Sequence, residues 1–380
     1  MKIVINRDKL IESIQHVTKA ISSKTAIPIL AGLKVQATAN GITLTGSNSD
    51  ITIESFIPIE EEGIQFIDEI EQGEIIVHAK YFPEIIRKLP SSTVEINADE
   101  NLQVTIQSGH AEFHLNGQDA DEYPQISQIQ TETNFELPIN LIKDMIKQTV
   151  FAVSTSETRP ILTGVNIKVE GDHLHFIATD SHRLAANKLP LNDTIGEFPF
   201  DQVVIPGKSL TELSKILDDT EDKLQISISE NQIAFQTNHL YFLSRLLDGK
   251  YPETSRLIPE ESKTVIHADT KTLLQAVDRA SLLAKDNHNN VIRLQTKDNQ
   301  TVEISSNSPE IGKVEEEITV AKIDGEELKI SFSSKYMIDA LKIMESDQVK
   351  IEFTGAMRPF IIKPIDHDQI LQLILPVRTF

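Results

Sequence analysis

Apolar residues recur at helical spacing in six stretches of the chain and alternate with polar ones through most of the rest. Leu10, Ile11, Ile14, Val17 and Ile21 mark the first one-sided stretch, Phe82, Ile85, Ile86 and Leu89 the second, and Leu141, Ile142, Met145 and Ile146 the third. Leu210, Leu213 and Leu217 mark the fourth, Leu273, Leu274 and Val277 the fifth, and Tyr336, Met337, Ala340 and Leu341 the sixth. Each of these predicts a helix with one face on a core. Between them, runs such as ITLTGSNSDITIESF (42–56) and LQVTIQSGHAEFHL (102–115) alternate in polarity and are broken by Gly, Asn and Asp, the pattern of antiparallel hairpins.

The six helices fall into three pairs because the chain resembles itself at a period of roughly 127 residues, the size of a domain rather than of a solenoid repeat. IIVHAKYFPEIIRKLPSSTVEI (75–96) aligns with VVIPGKSLTELSKILDDTEDKLQI (203–226) and LKISFSSKYMIDALKIMESDQVKI (328–351), each a strand, turn, helix and strand. Residues 6–35 align with 140–167, where a helix is predicted to run into a PIL-x-G strand; residues 270–294 keep the helix and lack that signal. Tyr123-Pro124 and Tyr251-Pro252 stand one period apart. The expectation is an α+β protein of three repeated domains, 1–128, 129–258 and 259–380, each two helices on antiparallel sheet.

Composition narrows the chemistry. The chain has no cysteine, which removes disulfides, thiolate metal sites and a cysteine nucleophile. It begins MKIVINRDKL, with an apolar run too short for a secretory signal, and no run is long enough to cross a bilayer, so a soluble cytoplasmic protein without membrane partners is expected. Formal net charge is −21, which by itself speaks against nucleic acid. The distribution reverses that inference. Windows around the six helices (7–24, 79–90, 140–159, 207–217, 270–285 and 334–345) hold 17 Lys and Arg against 9 Asp and Glu; the remaining chain holds 19 against 48. Helix propensity and the macrodipole favour neither sign overall, so the asymmetry points to basic helix faces that hold duplex phosphate without reading sequence.

Three local patterns suggest other chemistry. IATDSHRLAANKLP (177–190) packs Asp180, Ser181, His182 and Arg183 into four positions, the residue types of a hydrolase triad, with or without a metal. Catalytic groups of a triad converge from separate segments, whereas sequence neighbours point apart, so a polar turn is the simpler expectation. VVIPGKSLTEL (203–213) ends like a phosphate loop, yet the first glycine of that motif would fall at Gln202. His173 and His175 share a strand face without further ligands at metal spacing. No catalytic residue, metal or cofactor is therefore expected; an acidic repeat scaffold without a DNA role is the non-enzymatic alternative.

The paired-helix repeats together with ISSKTAIPIL, LTGSNSDITIE, IATDSHRLAANKLPL, LDGKYPETSRLIP and the terminal LILPVR resemble the bacterial sliding clamps, the beta subunits of the replicative DNA polymerase, over essentially the whole chain. The resemblance implies a head-to-tail homodimeric ring around duplex DNA that confers processivity on the polymerase and has no active site of its own. It also implies a pocket that takes short linear peptides of the clamp loader, the replicative and other polymerases, and repair proteins. By resemblance that pocket comprises Leu162, Thr179, His182, Arg183 and Leu184, with Pro252, Arg256 and Leu257, and with Met357, Pro359, Leu375, Pro376, Val377 and Arg378. Channel candidates are Lys9, Lys19, Lys24, Lys80, Arg87, Lys88, Lys143, Lys147, Lys208, Lys215, Lys271, Arg279, Lys285, Lys335 and Lys342, of which Lys24 and Lys80 match basic channel positions of the family. Phe113, Leu115, Leu282 and Leu283 occupy its subunit-interface positions.

Overall fold

A computed structural model describes all residues except Ser23, 126–128, 130–133, 192–199, 219–222, 285–289 and 379–380. Six helices form where the periodicity places them: α1 (Arg7–Val17), α2 (Phe82–Lys88), α3 (Ile139–Lys147), α4 (Gly207–Ile216), α5 (Thr270–Ala284) and α6 (Ser334–Lys342). Helix α1 starts at Asn6, whose side chain accepts the backbone N–H groups of Asp8 and Lys9, an N-cap that satisfies two of the helix's free donors. Leu10, Ile14 and Val17 are buried along one face, whereas Ile21 lies beyond the helix end and past a short 3-10 turn, Thr18–Ala20.

The PIL-x-G stretches differ from expectation. They fold as 3-10 turns, Pro28–Ala31 and Pro160–Thr163, and the strands begin only at Gly32 and Gly164. Proline in the first turn fixes φ for a helical start. The glycines follow because no side chain fits: a Cβ on Gly32 would lie 2.3 Å from Ile76 Cγ2, and one on Gly164 would lie 2.7 Å from both Leu247 Cδ1 and Val204 Cγ1.

Two large sheets share one topology. An eight-stranded sheet runs Gly73–His78, Gly32–Thr38, Gly41–Ser47, Ile51–Pro58, Leu240–Arg245, Gln232–Gln236, Lys223–Ile228, Asn134–Pro138. A nine-stranded sheet runs Gln202–Pro206, Gly164–Glu170, His173–Thr179, Arg183–Pro190, Ile370–Ile374, Phe360–Pro364, Gln348–Phe353, Thr264–Asp269, and adds Lys322–Gly325. Every pairing is antiparallel, and the hairpins expected at 42–56 and 102–115 are present. Each large sheet therefore joins strands of two successive repeats, so the compact units of the chain cut across the central repeat. One is built from Met1–Asn140 with Lys208–Leu246, the other from Leu141–Thr194, Phe200–Gly207 and Leu247–Phe380.

The first unit also holds a five-stranded sheet with Ala111–Asn116 at one edge, and the second a four-stranded sheet with Gly312–Thr319 at one edge. In the second unit α5 and α6 cover a core that includes Leu273, Val277, Phe332, Met337, Phe353 and Phe360. The acidic run 314–318 lies on the Gly312–Thr319 edge, where carboxylates discourage pairing with foreign strands.

Burial gives the fold a pH dependence. The imidazoles of His16, on α1, and His175, on the His173–Thr179 strand, are held below the ordinary value of 6.5 chiefly by desolvation. The folded state thus resists their protonation while the unfolded chain accepts it, so their contribution is full above that value and is lost as pH falls through and below it. Lowering the pH from about 7.5 to about 5.5 is expected to depress the thermal midpoint, and a His16→Gln, His175→Gln variant to show a smaller depression; an unchanged dependence would contradict this.

Candidate functional site

Sheet register in the second unit gathers one group of the expected site residues. Arg183 pairs with Ile374 and Leu184 with Leu373, so the 180–182 turn and the chain beyond Ile374 leave the sheet at the same end. Phe360 also pairs with Ile374, which brings Met357 and Pro359 to that end. Asn166 pairs with Ile177, so Leu162, before the Gly164 strand, lies there as well. Tyr251 joins Pro252 and the 255–257 turn to the group: its hydroxyl accepts the backbone N–H of Thr179 at 3.1 Å.

The floor of this site is apolar. Leu162 and Leu184 are each 2% exposed and cluster with Ile177, Val204, Tyr251, Ile361 and Leu373; Ile161, Leu247 and Leu375 pack against them. Around that floor Leu257 is 46% and Met357 53% exposed, while Pro252, Pro359, Leu375, Pro376 and Val377 are half-buried. His182, Arg256 and Arg378 are exposed. An apolar floor with large, solvent-facing apolar side chains and cationic groups beside it suits an extended peptide with apolar anchors and acidic or polar flanks.

Arg183 behaves differently from a rim cation. It is 8% exposed, and its guanidinium is spent inside the protein: Nε donates to Asp180 Oδ2 at 3.0 Å, one terminal nitrogen to Asp339 Oδ2 at 2.7 Å, and the other to the Phe151 carbonyl at 2.6 Å. It also stands over the rings of Tyr336 and Phe151, at 4.6 and 5.3 Å. Asp180 Oδ1 accepts the backbone N–H groups of His182 and Arg183. Its carboxylate therefore caps a turn and holds an arginine, with nothing left to orient a histidine, and the triad reading is corrected. Ser181, at φ 77°, is a tight-turn residue whose hydroxyl accepts from Arg159 at 3.4 Å. The same turn occurs in the first repeat, where Asn48 Oδ1 accepts from Asp50 and Ile51.

Asp339, Tyr336, Phe151 and Tyr251 were not singled out as site residues from sequence. Tyr251 alone carried a signal, the Tyr-Pro pair that recurs with the repeat; the others act through packing of α6 and a 3-10 turn, which no local motif announces.

The basic residues divide into two groups. Lys19, Lys24, Lys80 and Lys208 in the first unit, and Lys271, Lys335 and Lys342 in the second, are exposed and form no ion pair among the described residues. Others hold acidic partners: Lys9 with Glu12 at 2.8 Å, Arg87 with Glu84 at 2.7 Å, Lys88 with Glu84 at 4.0 Å, Lys147 with Glu345 at 3.1 Å, Lys215 with Glu212 at 2.9 Å, and Arg279 with Glu316. Exposed pairs of this kind contribute about 0–1 kcal/mol, so a phosphate can replace the carboxylate at little cost. Lys9 is the exception among them, folded over the Phe66 ring and largely covered. Lys143 is half-buried, and Lys285 lies outside the described residues.

Phe113 is 39% exposed on the Ala111–Asn116 edge strand and Leu115 is half-buried beside it; Leu282 is 62% exposed on α5 and Leu283 half-buried. Among the described residues no three metal-ligating side chains converge, His173 and His175 included.

Comparison with known proteins agrees along the full length. Family models described as the DNA polymerase III beta subunit match over 1–127 for the N-terminal domain, 136–253 for the central domain and 255–378 for the C-terminal domain. The chain is 56% identical to the beta sliding clamp of Bacillus subtilis (strain 168), covering 100% of both chains. It is similar to the crystal structure of the DNA polymerase sliding clamp from Bacillus subtilis, with a TM-score of 0.96 at 56% identity, and to that of the DNA polymerase III beta chain from Streptococcus pneumoniae, 0.94 at 40%, each with full coverage of both chains.

Proposed function

From the premise that the chain belongs to the DNA polymerase III beta subunit family, the bacterial sliding clamps, we propose how its surfaces perform that family's work. It is a processivity factor without catalysis of its own: a DNA sliding clamp of three clamp-fold domains that tethers the replicative polymerase to duplex DNA. The domain limits follow the repeat, 1–128, 129–258 and 259–380.

Two copies close head to tail through Phe113 and Leu115 of one and Leu282 and Leu283 of the other. The exposure of Leu282 and Phe113 supports this, since large apolar side chains left to water on an edge strand and a helix end are groups a partner surface would cover. The lysines without ion pairs, Lys19, Lys24, Lys80, Lys208, Lys271, Lys335 and Lys342, meet the phosphates. Contacts that are numerous, individually weak and blind to bases allow the protein to glide. The ring works in the cytoplasm, on the chromosome.

Partners dock at the end of the nine-stranded sheet. The observation that carries this is the nearly closed apolar floor of Leu162 and Leu184, flanked by solvent-facing Leu257 and Met357. Clamp loader, polymerases and repair proteins each present a short linear segment whose Leu or Phe anchors sit on that floor. A fluorescent peptide with such anchors is expected to bind the intact chain, and Met357→Ser with Leu375→Ser to weaken it by about tenfold or more, each lost apolar anchor contact being worth about 1–2 kcal/mol. Undiminished affinity in that variant would place docking elsewhere.

A further inference from the structure

We propose that a cleft in the first unit, beside α1, binds a linear polyamine. The cleft has a volume of about 770 Å³, within the range of small-molecule sites and larger than a single hydrated ion needs. Helix α1 carries two stripes. Leu10, Ile14 and Val17 face the core, while Lys9, Glu12, Ser13 and His16, at helical spacing, line the cleft.

Its electrostatics call for a cation. Five carboxylates line it, Glu12, Glu61, Glu62, Glu136 and Asp218, against two lysines. Those lysines are already engaged, Lys9 by Glu12 and Lys223 by Glu136 at 3.1 Å, which leaves Glu61, Glu62 and Asp218 without a lysine or arginine among the described residues. Two buried polar atoms on the wall lack any partner: the hydroxyl of Ser13, a residue 2% exposed, and Nδ1 of His239. The Nε2 of His239 faces Glu61 Oε1 at 2.5 Å, so Nδ1 is the ring nitrogen left without a partner. Buried polar atoms without partners are costly, and a charged N–H group can satisfy the hydroxyl oxygen of Ser13 as well as the carboxylates.

The rest of the wall selects among cations. Half-buried Phe56 gives the wall an apolar patch, backed by the buried Ile57, Ile139, Ile216 and Leu217, which suits a methylene spacer between ammonium groups. No three metal-ligating side chains converge there among the described residues, so a bare metal ion lacks its coordination set. At the corresponding place in the second unit the residues are buried against one another: Gln148, one repeat on from His16, bonds to Asn187, one repeat on from Ser55, and accepts at its carbonyl from Gln372. The acidic cleft thus belongs to the first unit and shares no residue with the peptide surface.

Calorimetric titration of spermidine into the full chain, without DNA, tests this. Saturable binding near one site per chain is expected, persisting when magnesium chloride replaces sodium chloride at equal ionic strength. Glu61→Gln with Glu62→Gln is expected to weaken it about tenfold, and Asp218→Lys, at an exposed position that leaves the core intact, to weaken it at least as much. Absence of saturable heat, equal affinity in both variants, or complete competition by magnesium would overturn the proposal. So would binding of a trilysine peptide with none of spermidine, which would assign the cleft to lysines of a protein partner.

Discussion

Replacing Arg183 by alanine is expected to lower the stability of the second unit by about 3–5 kcal/mol and to abolish peptide docking with it. The change strands Asp180 and Asp339, whose side chains are only 13% and 28% exposed, and leaves the Phe151 carbonyl without its donor. An uncompensated buried charge costs far more than the lost pair contributed. Docking fails because Asp180 also pins the 180–183 turn through two backbone N–H groups, and Leu184 follows that turn into the floor of the site. Arg183→Lys is expected to recover only part of the loss, since an ammonium cannot reproduce the planar fork that reaches two carboxylates and a carbonyl. Arg183→Met together with Asp180→Asn and Asp339→Asn is expected to recover more than half of the stability. Urea unfolding, followed by a signal from the second unit, checks the series; a single variant as stable as the parent would refute the inward role of this arginine.

The second large effect is at the subunit interface. Changing Leu282 and Leu283 to alanine is expected to leave the domains folded, because Leu282 is 62% exposed and the core face of α5 is carried by Leu273, Ala276, Val277, Ala280 and Ala284. A head-to-tail dimer contains the interface twice, so four leucines are truncated per ring. At about 1–2 kcal/mol each, the dissociation constant rises by about 10³-fold or more. Sedimentation is expected to show monomers with an unchanged circular dichroism spectrum. A dimer of parental affinity would refute the assignment.

Periodicity alone was enough for the six helices, since each buries one stripe and the stripe is written at 3.6-residue spacing. The self-similarity of the chain anticipated the repeated helix-and-sheet units, but not that each large sheet joins strands of two successive repeats, since that pairing is made between segments far apart in sequence. Local chemistry misled where geometry decides. PIL-x-G reads as the start of a strand, but proline and the crowding at Gly32 and Gly164 make it a 3-10 turn that only leads to one. Arg183 reads as a pocket residue beside His182, yet Asp339, 156 positions on, turns it inward, and no window of sequence contains that pair. The acidic cleft was invisible for the same reason: Glu12, Glu61, Glu136 and Asp218 are far apart in the chain and meet only through the eight-stranded sheet and the helices on it. Sums of charge were least informative, since −21 for the whole chain conceals helices that carry almost half of its Lys and Arg.

Topological linkage to DNA is what a closed ring adds to weak phosphate contacts, and one measurement addresses it directly. Protein loaded by its clamp loader onto a nicked circular duplex is separated from free protein by gel filtration, before and after a single restriction cut. Retention on the circle, and release when the cut creates ends over which a gliding ring escapes, is the expected result. Protein that stays bound after linearisation, or that never remains with the circle, would contradict it.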